Sequence, residues 1–355
     1  MRVVSSDRHR GHAPLAEIES SGLQPPFEHP GRADAIHDTL AGDERFEVVE
    51  PDEWGIAPIV AVHDPGLVDF LGRAWAEYQL RHPGTHDVVP DVFAMPGLVD
   101  GMGSFPDRSL VDHELGRWCF ETTTPITEGT FDAARSAVDI ALTAAKAVLD
   151  GERSVYGLCR PPGHHAPTAL YGGYCFFNNA AIAAHHVAST TGSKVTVLDV
   201  DYHHGNGTQQ IFYRRDDVQY VSLHGDPARA YPYLSGFADE TGAARGAGAN
   251  SNLPLAAGTD DEAYLTLLGV ACETIAAFGP SVVIVSLGVD TFHNDPISDL
   301  AVTTDGLRSQ GELVAQLALP TVIVQEGGYD VDAIGDNVRA FLLGISVGSH
   351  PDRDS

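Results

Sequence analysis

Four short runs of apolar, largely β-branched residues stand out along the chain: Val195–Asp199 (VTVLD), Val218–Leu223 (VQYVSL), Val282–Leu287 (VVIVSL) and Thr321–Gln325 (TVIVQ). They are continuous instead of alternating, which is the pattern of strands buried on both faces. Segments with helical spacing separate or flank them, at residues 178–189, 260–278, 304–317 and 331–343. Strands alternating with helices predict a mostly parallel central β-sheet flanked by helices, joined by right-handed crossovers, in a single α/β domain over residues 1–355. Upstream the signal is weaker. The first 50 residues read as polar and loop-like, residues 59–63 (IVAVH) as a strand, and residues 65–79 and 131–149 as helices. Residues 82–130 are rich in Pro, Gly, Asp and Thr with weak periodicity, and read as a loop insert. So long a segment without regular structure is usually functional or flexible.

The polar residues fall where the apolar runs stop. The first run ends in Asp199, Asp201 and His203, the second in Ser222 and His224, the third in Asp290, and the fourth in Glu326 and Tyr329. In open α/β sheets ligands bind beyond the carboxyl ends of the strands, so these groups are expected to face one crevice. Asp199, Asp201 and His203 sit at alternate positions, and in extended chain such residues share a face. Asp201 and His203, with Asp290 from another strand end, can hold one ion. Two carboxylates and an imidazole suit Zn²⁺, with Fe²⁺ or Co²⁺ as alternatives, and three protein ligands leave a position open for chemistry.

Adjacent histidines, His164 and His165, lie in RPPGHHAP. Amide hydrolysis needs a base to activate water and an acid to protonate the leaving amine, and two rings on one loop can supply both. Asp199 and Asn206 are candidate partners to set their tautomers. A carboxylate raises the pKa of its histidine more than an amide does, so the ring paired with Asn206, expected to be His165, should stay nearer its ordinary value. A second pair, His185–His186, lies in a predicted helix and reads as ordinary packing. Tyr329 follows Glu326-Gly327-Gly328, where a tight turn can bring a phenol donor to an oxyanion.

The composition narrows the partners. A net charge of −28 over 355 residues argues against nucleic acid, which needs a basic footprint, and suits a cationic substrate. No apolar run is long enough to span a bilayer, and the N-terminus has no apolar signal region, so no membrane association is expected. Cys119, Cys159, Cys175 and Cys272 form no CxxC pair, which fits a reducing cytoplasm.

Taken together, RPPGHHAP, YGGYCFFNNAAIAA, VLDVDYHHGNGTQQIFY, VSLHGDP, SLGVDTFHNDP and QEGGYD resemble the histone deacetylase and acetylpolyamine amidohydrolase superfamily over about residues 155–330. The resemblance implies the arginase/deacetylase fold and zinc on Asp201, His203 and Asp290. It further implies a His164–Asp199 pair, His165 as general base facing Asn206, and Tyr329 as oxyanion donor. Structural potassium would lie on Asp199, Asp201, His203, Ser222 and Leu223, with a peripheral site using Phe212 and Val218. Asn206 and QEGGYD resemble the class II and bacterial branches. HGDPARAYPYLSGFADETG and PPFEHPGRADAI are similar to acetylpolyamine amidohydrolases. On that basis Tyr174 and Tyr231 would wall the acyl-amine channel beside Gly173, Glu17 and Asp112 would lie near its entrance, and Thr123 stands where those enzymes carry a further Glu. In that subfamily the insert builds a head-to-head dimer, so a homodimer is expected. The expected reaction is removal of acetate from N-acetylated polyamines or similar small acylated amines. The alternatives are a peptide acetyl-lysine deacetylase and a hydrolase of other small amides.

Overall fold

A computed structural model describes residues 1–98, 100–101 and 110–348; residues 99 and 102–109 of the expected insert lie outside the described residues. Near the N-terminus come β1 (Arg2–Val4), an antiparallel hairpin of β2 (Glu17–Glu19) and β3 (Gly22–Gln24), α1 (Gly31–Ala41) and β4 (Glu47–Val49). Then follow α2 (Ala57–Val60), α3 (Pro65–Arg81), α4 (Val111–Trp118), α5 (Thr130–Leu149) and β5 (Ser154–Gly157). The second half alternates: α6 (Asn179–Thr191), β6 (Val195–Asp199), α7 (Asn206–Phe212), β7 (Val218–Gly225), β8 (Asn250–Leu255), α8 (Asp261–Phe278), β9 (Val282–Leu287), α9 (Thr304–Ala315), β10 (Thr321–Gln325) and α10 (Ile334–Gly348).

Eight strands form one sheet in the order β4-β1-β5-β10-β9-β6-β7-β8, and every pairing in it is parallel. Helices α5 and α6 pack on one face, while α1, α8, α9 and α10 cover the other. Each face has its own core, with Val155, Val197, Ile284 and Val324 pointing to one and Tyr156, Leu198, Val285 and Ile323 to the other. This alternation explains why the strands read as unbroken apolar runs: both faces of the pleat are dry.

Local chemistry sets the helix ends. The Asn178 side chain caps α6 by accepting from Ala181 N at 2.9 Å, and Gly192 closes that helix in the left-handed conformation. Asp260 and Gly279 do the same for α8.

Two expectations are corrected. Residues 59–63 are not a strand: Ala57–Val60 is a helical turn with a proline in its first positions, and Ile59 is buried there. A proline is pre-set for a first helical turn, which outweighs the β-branched composition of so short a run. Nor are the first 50 residues loop-like, because β1 and β4 extend the main sheet and α1 packs on α10.

Candidate active site

The carboxyl ends of β5, β6, β9 and β10 meet where the expected groups lie. The loop after β5 carries His164 and His165, and β10 pins it: Gly163 N and His164 N both donate to Glu326 Oε2, at 2.7 and 3.1 Å. His164 Nδ1 lies 3.1 Å from Asp199 Oδ2, which also accepts from the Tyr220 hydroxyl at 2.9 Å. His165 Nδ1 lies 2.7 Å from Asn206 Oδ1. An amide oxygen only accepts, so Nδ1 carries the hydrogen and Nε2 keeps its lone pair. The two rings are tilted against each other with centroids 4.0 Å apart.

These environments separate the two histidines. For His164 burial opposes the charge, but the carboxylates of Asp201 and Asp199 outweigh it and push the ring up to about 10. For His165 burial, followed by the neighbouring His164 and His203, holds the ring well below its ordinary value. The expectation that the Asn-paired ring stays near normal is therefore corrected. An amide cannot compensate for desolvation, so His165 is the ring kept neutral.

Asp201, His203 and Asp290 are buried, and one donor atom from each lies within 4.8 Å of the others. His203 Nδ1 is 3.1 Å from Asp290 Oδ2 and 3.3 Å from Asp201 Oδ1. Backbone amides orient both carboxylates: Gly327 N donates to Asp201 Oδ2 at 2.7 Å, and Tyr202 N donates to Asp290 Oδ1 at 2.8 Å. Burial and the nearby Asp201 push Asp290 up to about 7. Two buried carboxylates facing each other resist joint ionisation, and a divalent cation relieves that conflict, so the donor set fits a metal. Gly327 is needed at its position, because a Cβ there would lie 2.3 Å from Asp290 Oδ2 and 2.6 Å from Asp201 Oδ2.

A cavity of about 470 Å³ opens above the triad, with His165, His203 and Tyr329 among its lining residues. Tyr174, Tyr202, Tyr231 and Tyr233 supply aromatic wall, and Gly173 lines it beside Tyr174. A Cβ on Gly173 would fall 2.6 Å from His165 Cδ2, so only glycine lets the ring and this turn approach so closely. Tyr231 meets His165 edge-on at 4.9 Å, and the Tyr174 and Tyr329 rings are 5.8 Å apart. Ile18, Glu19 and Ser20 from the β2–β3 hairpin and Glu121, Thr122 and Thr123 from the insert form part of the lining.

Glu17 is buried behind this wall. Burial pushes its carboxyl up to about 7, with the Tyr174 phenol as a neighbouring group. Asp112 lies elsewhere: on α4 it pairs with Arg81 and His82, and it does not line the cavity of this chain. Of the residues expected for potassium, Asp199 and Ser222 are in register on neighbouring strands, and Leu223 follows on β7. Phe212 ends α7, with its carbonyl accepting from Arg215 N at 2.9 Å, and Val218 opens β7. His185 and His186 lie apart from the site, His186 edge-on to Trp54.

Several supporting residues escaped the sequence reading. Arg32, fully buried on α1, donates from Nε to Gly328 O and from a terminal nitrogen to Glu326 O at 2.8 Å. Its guanidinium lies 4.4 Å from the Tyr329 ring centroid. Glu28 ties Arg32 to Arg160, accepting from Arg32 at 2.9 Å and from Arg160 at 2.8 and 3.0 Å. Asp295 accepts from Tyr329 N at 2.7 Å. Glu121, two positions before Thr123, accepts from Gly173 N at 2.9 Å and from the Thr123 and Thr124 hydroxyls. The HPGR and NDP strings were the available signals for Arg32 and Asp295, but the role of Arg32 depends on contacts almost 300 positions away and that of Asp295 on a turn after the next strand.

This parallel sheet, with two aspartates and a histidine at its strand ends and paired histidines above them, defines a deacetylase of the arginase/deacetylase fold. The histone deacetylase domain matches residues 26–345, and the chain belongs to that family. It is 44% identical over 346 residues to acetylpolyamine amidohydrolase 1 of Pseudomonas aeruginosa, covering 97% of this chain and 98% of that one. It is 38% identical over 353 residues to the acetylpolyamine amidohydrolase of Mycoplana ramosa, covering 98% and 100%. The crystal structure of acetylpolyamine aminohydrolase from Burkholderia pseudomallei superposes with a TM-score of 0.91 at 39% identity, over 98% of each chain.

Proposed function

We propose that this protein is a zinc-dependent deacetylase that hydrolyses the amide of N-acetylated polyamines or similar small acylated amines, releasing acetate and the free amine. The carrying observation is geometric: donor atoms of Asp201, His203 and Asp290 lie within 4.8 Å of one another, and His165, with Nδ1 on Asn206 Oδ1, lines the cavity there together with Tyr329. Asp201, His203 and Asp290 would hold the ion; Fe²⁺ and Co²⁺ would suit the same donors. Such an ion, when bound, polarises the acyl carbonyl and acidifies water. His165 takes the proton from the attacking water, and the phenol of Tyr329 donates to the oxygen that becomes negative. The His164–His165 pair then returns a proton to the departing amine. The aromatic walls at Tyr174 and Tyr231 take the alkyl chain of the substrate, and the acidic groups at Glu19 and Glu121 favour a distal ammonium.

Structural K⁺ on Asp199, Asp201, His203, Ser222 and Leu223, a second K⁺ near Phe212 and Val218, and a homodimer through the 82–130 insert are parts of the same reading. So is one domain over residues 1–355. Asp112 would then act at the mouth only across a dimer interface. The four unpaired cysteines suit a cytoplasmic enzyme. Among the described residues no helix is long and apolar enough to cross a membrane.

The test is a substrate panel with zinc-loaded protein: acetylputrescine, acetylspermidine, acetylcadaverine and an acetyl-lysine peptide. The small amines should be preferred. A peptide favoured by more than about tenfold, ~1.4 kcal/mol in the transition state, overturns the polyamine reading. Tyr329→Phe should lower kcat by about 100–1000-fold, and undiminished turnover removes its assigned role.

A further inference from the structure

The cavity wall contains one feature that a purely cationic substrate does not explain. Among its described lining residues, Arg229 is the one lysine or arginine. Its position is fixed: NH1 donates to Asp299 Oδ2 at 2.6 Å, and Asp299 Oδ1 accepts from the Tyr202 hydroxyl at 3.0 Å. Tyr202 in turn packs edge-on against His203, with centroids 4.8 Å apart. The Arg229 side chain remains 43% exposed, so a guanidinium with further N–H donors is held at the cavity wall. Glu19 and Glu121 line the same cavity.

We infer that the preferred substrate bears a carboxylate as well as an ammonium at its distal end: an Nω-acetylated diamino acid, with Arg229 as the residue that selects it. This rests on the deacetylase reading above and narrows its substrate class. A guanidinium matches a carboxylate in shape and charge. A polyamine is attracted to Glu19 and Glu121 but finds no acceptor at Arg229, whose charge Asp299 already offsets and whose remaining N–H groups only donate. A diamino acid satisfies all three, its ammonium toward the carboxylates and its carboxylate toward Arg229. Asp299 and Tyr202 pre-set the guanidinium, so binding does not have to order a free arginine side chain. A chain of net charge −28 does not draw anions in from a distance, which favours a zwitterion over a simple acid.

Two molecules that differ only by the carboxylate make the test. Nε-acetyl-lysine and N-acetylcadaverine are assayed with the zinc-loaded enzyme, together with Nε-acetyl-lysinamide, in which the carboxylate is neutral. Acetyl-lysine is expected to have the highest kcat/KM, by about tenfold over either of the others, mainly through KM. Arg229→Gln should lower kcat/KM for acetyl-lysine and raise it for acetylcadaverine, and Arg229→Lys should partly restore the preference. A merely structural role would shift all three substrates together and leave their ratios unchanged, which overturns the inference. So does a native enzyme that prefers acetylcadaverine; that result leaves the deacetylase reading standing, whereas no turnover of any of the three overturns both.

Discussion

Replacing Arg32 with methionine separates the support of Tyr329 from the cavity itself. Arg32 is buried and absent from the cavity lining, so the substitution should act on stability and on kcat more than on KM. Its removal leaves Gly328 O without its partner, while Glu326 O keeps Gln325 Nε2 at 3.3 Å. A buried acceptor left unpaired costs about 1–3 kcal/mol, and Gly328 O carries that cost. Glu28 adds little to this, because Arg160 still donates to both of its oxygens. A loss near the middle of that range lowers Tm by roughly 3 °C for a chain of 355 residues. The cation over the Tyr329 ring disappears as well. Burial pushes that phenol far above its ordinary range and Arg32 pulls it back, so without Arg32 it becomes a weaker donor on a looser turn. A drop in kcat of about 10–100-fold is expected, below the full cost of deleting the phenol. Thermal melts of the metal-loaded protein and steady-state kinetics on acetylputrescine read both quantities. A Tm indistinguishable from that of the parent refutes the cost assigned to the Gly328 carbonyl. A lowered Tm with kcat within about twofold refutes the link to Tyr329, leaving Asp295 as its sufficient support.

Three further outcomes follow from the same geometry. Asn206→Asp puts a carboxylate on His165 Nδ1 and raises its pKa, so the acidic limb of the kcat/KM profile should move to higher pH; an unmoved limb removes His165 as the base. Metal must displace protons from Asp290, held at about 7, and His203, held at about 9, so apparent zinc affinity in competition titrations should rise as pH increases from 6 to 9, and a flat response contradicts the triad. His63 is buried with Nδ1 on Pro167 O and Nε2 accepting from Asn178 N, and burial lowers it from 6.5 to about 4. The unfolded chain takes up its proton first, so stability present above pH 6.5 is lost as pH falls toward 4, by roughly 3 kcal/mol; denaturant titrations of His63→Gln should show a correspondingly flatter loss, and an unchanged slope refutes the assignment.

The legible part of the sequence was the part with the strongest physical constraint. β6, β7, β9 and β10 are buried on both faces, which favours apolar residues along most of their length, and their polar ends marked the site. β1 and β4 are three residues each, too short for any period to show, and β8 (NSNLPL) lies at the sheet edge, where Asn and Pro are tolerated. The metal set and the paired histidines could be read because each pair of groups is close in sequence or ends a visible strand. Arg32, Glu28 and Arg160 could not, since nothing in their neighbourhood reveals that residues 28, 32 and 160 meet beneath residues 326 and 328. Glu121 was missed because position 123 drew the comparison, while the hydrogen bond to Gly173 belongs to the residue two places earlier.

The sheet order has a consequence for biogenesis. β10, last of the described strands to be synthesised, inserts between β5 and β9, near the middle of the sheet. Without β10 the folded sheet order leaves two groups of strands, β4-β1-β5 and β9-β6-β7-β8, each with an unpaired inner edge. Glu326, which fastens the histidine loop, arrives with that same strand. The reactive centre is therefore completed only by the last described strand, so chains cut short before it should show no turnover.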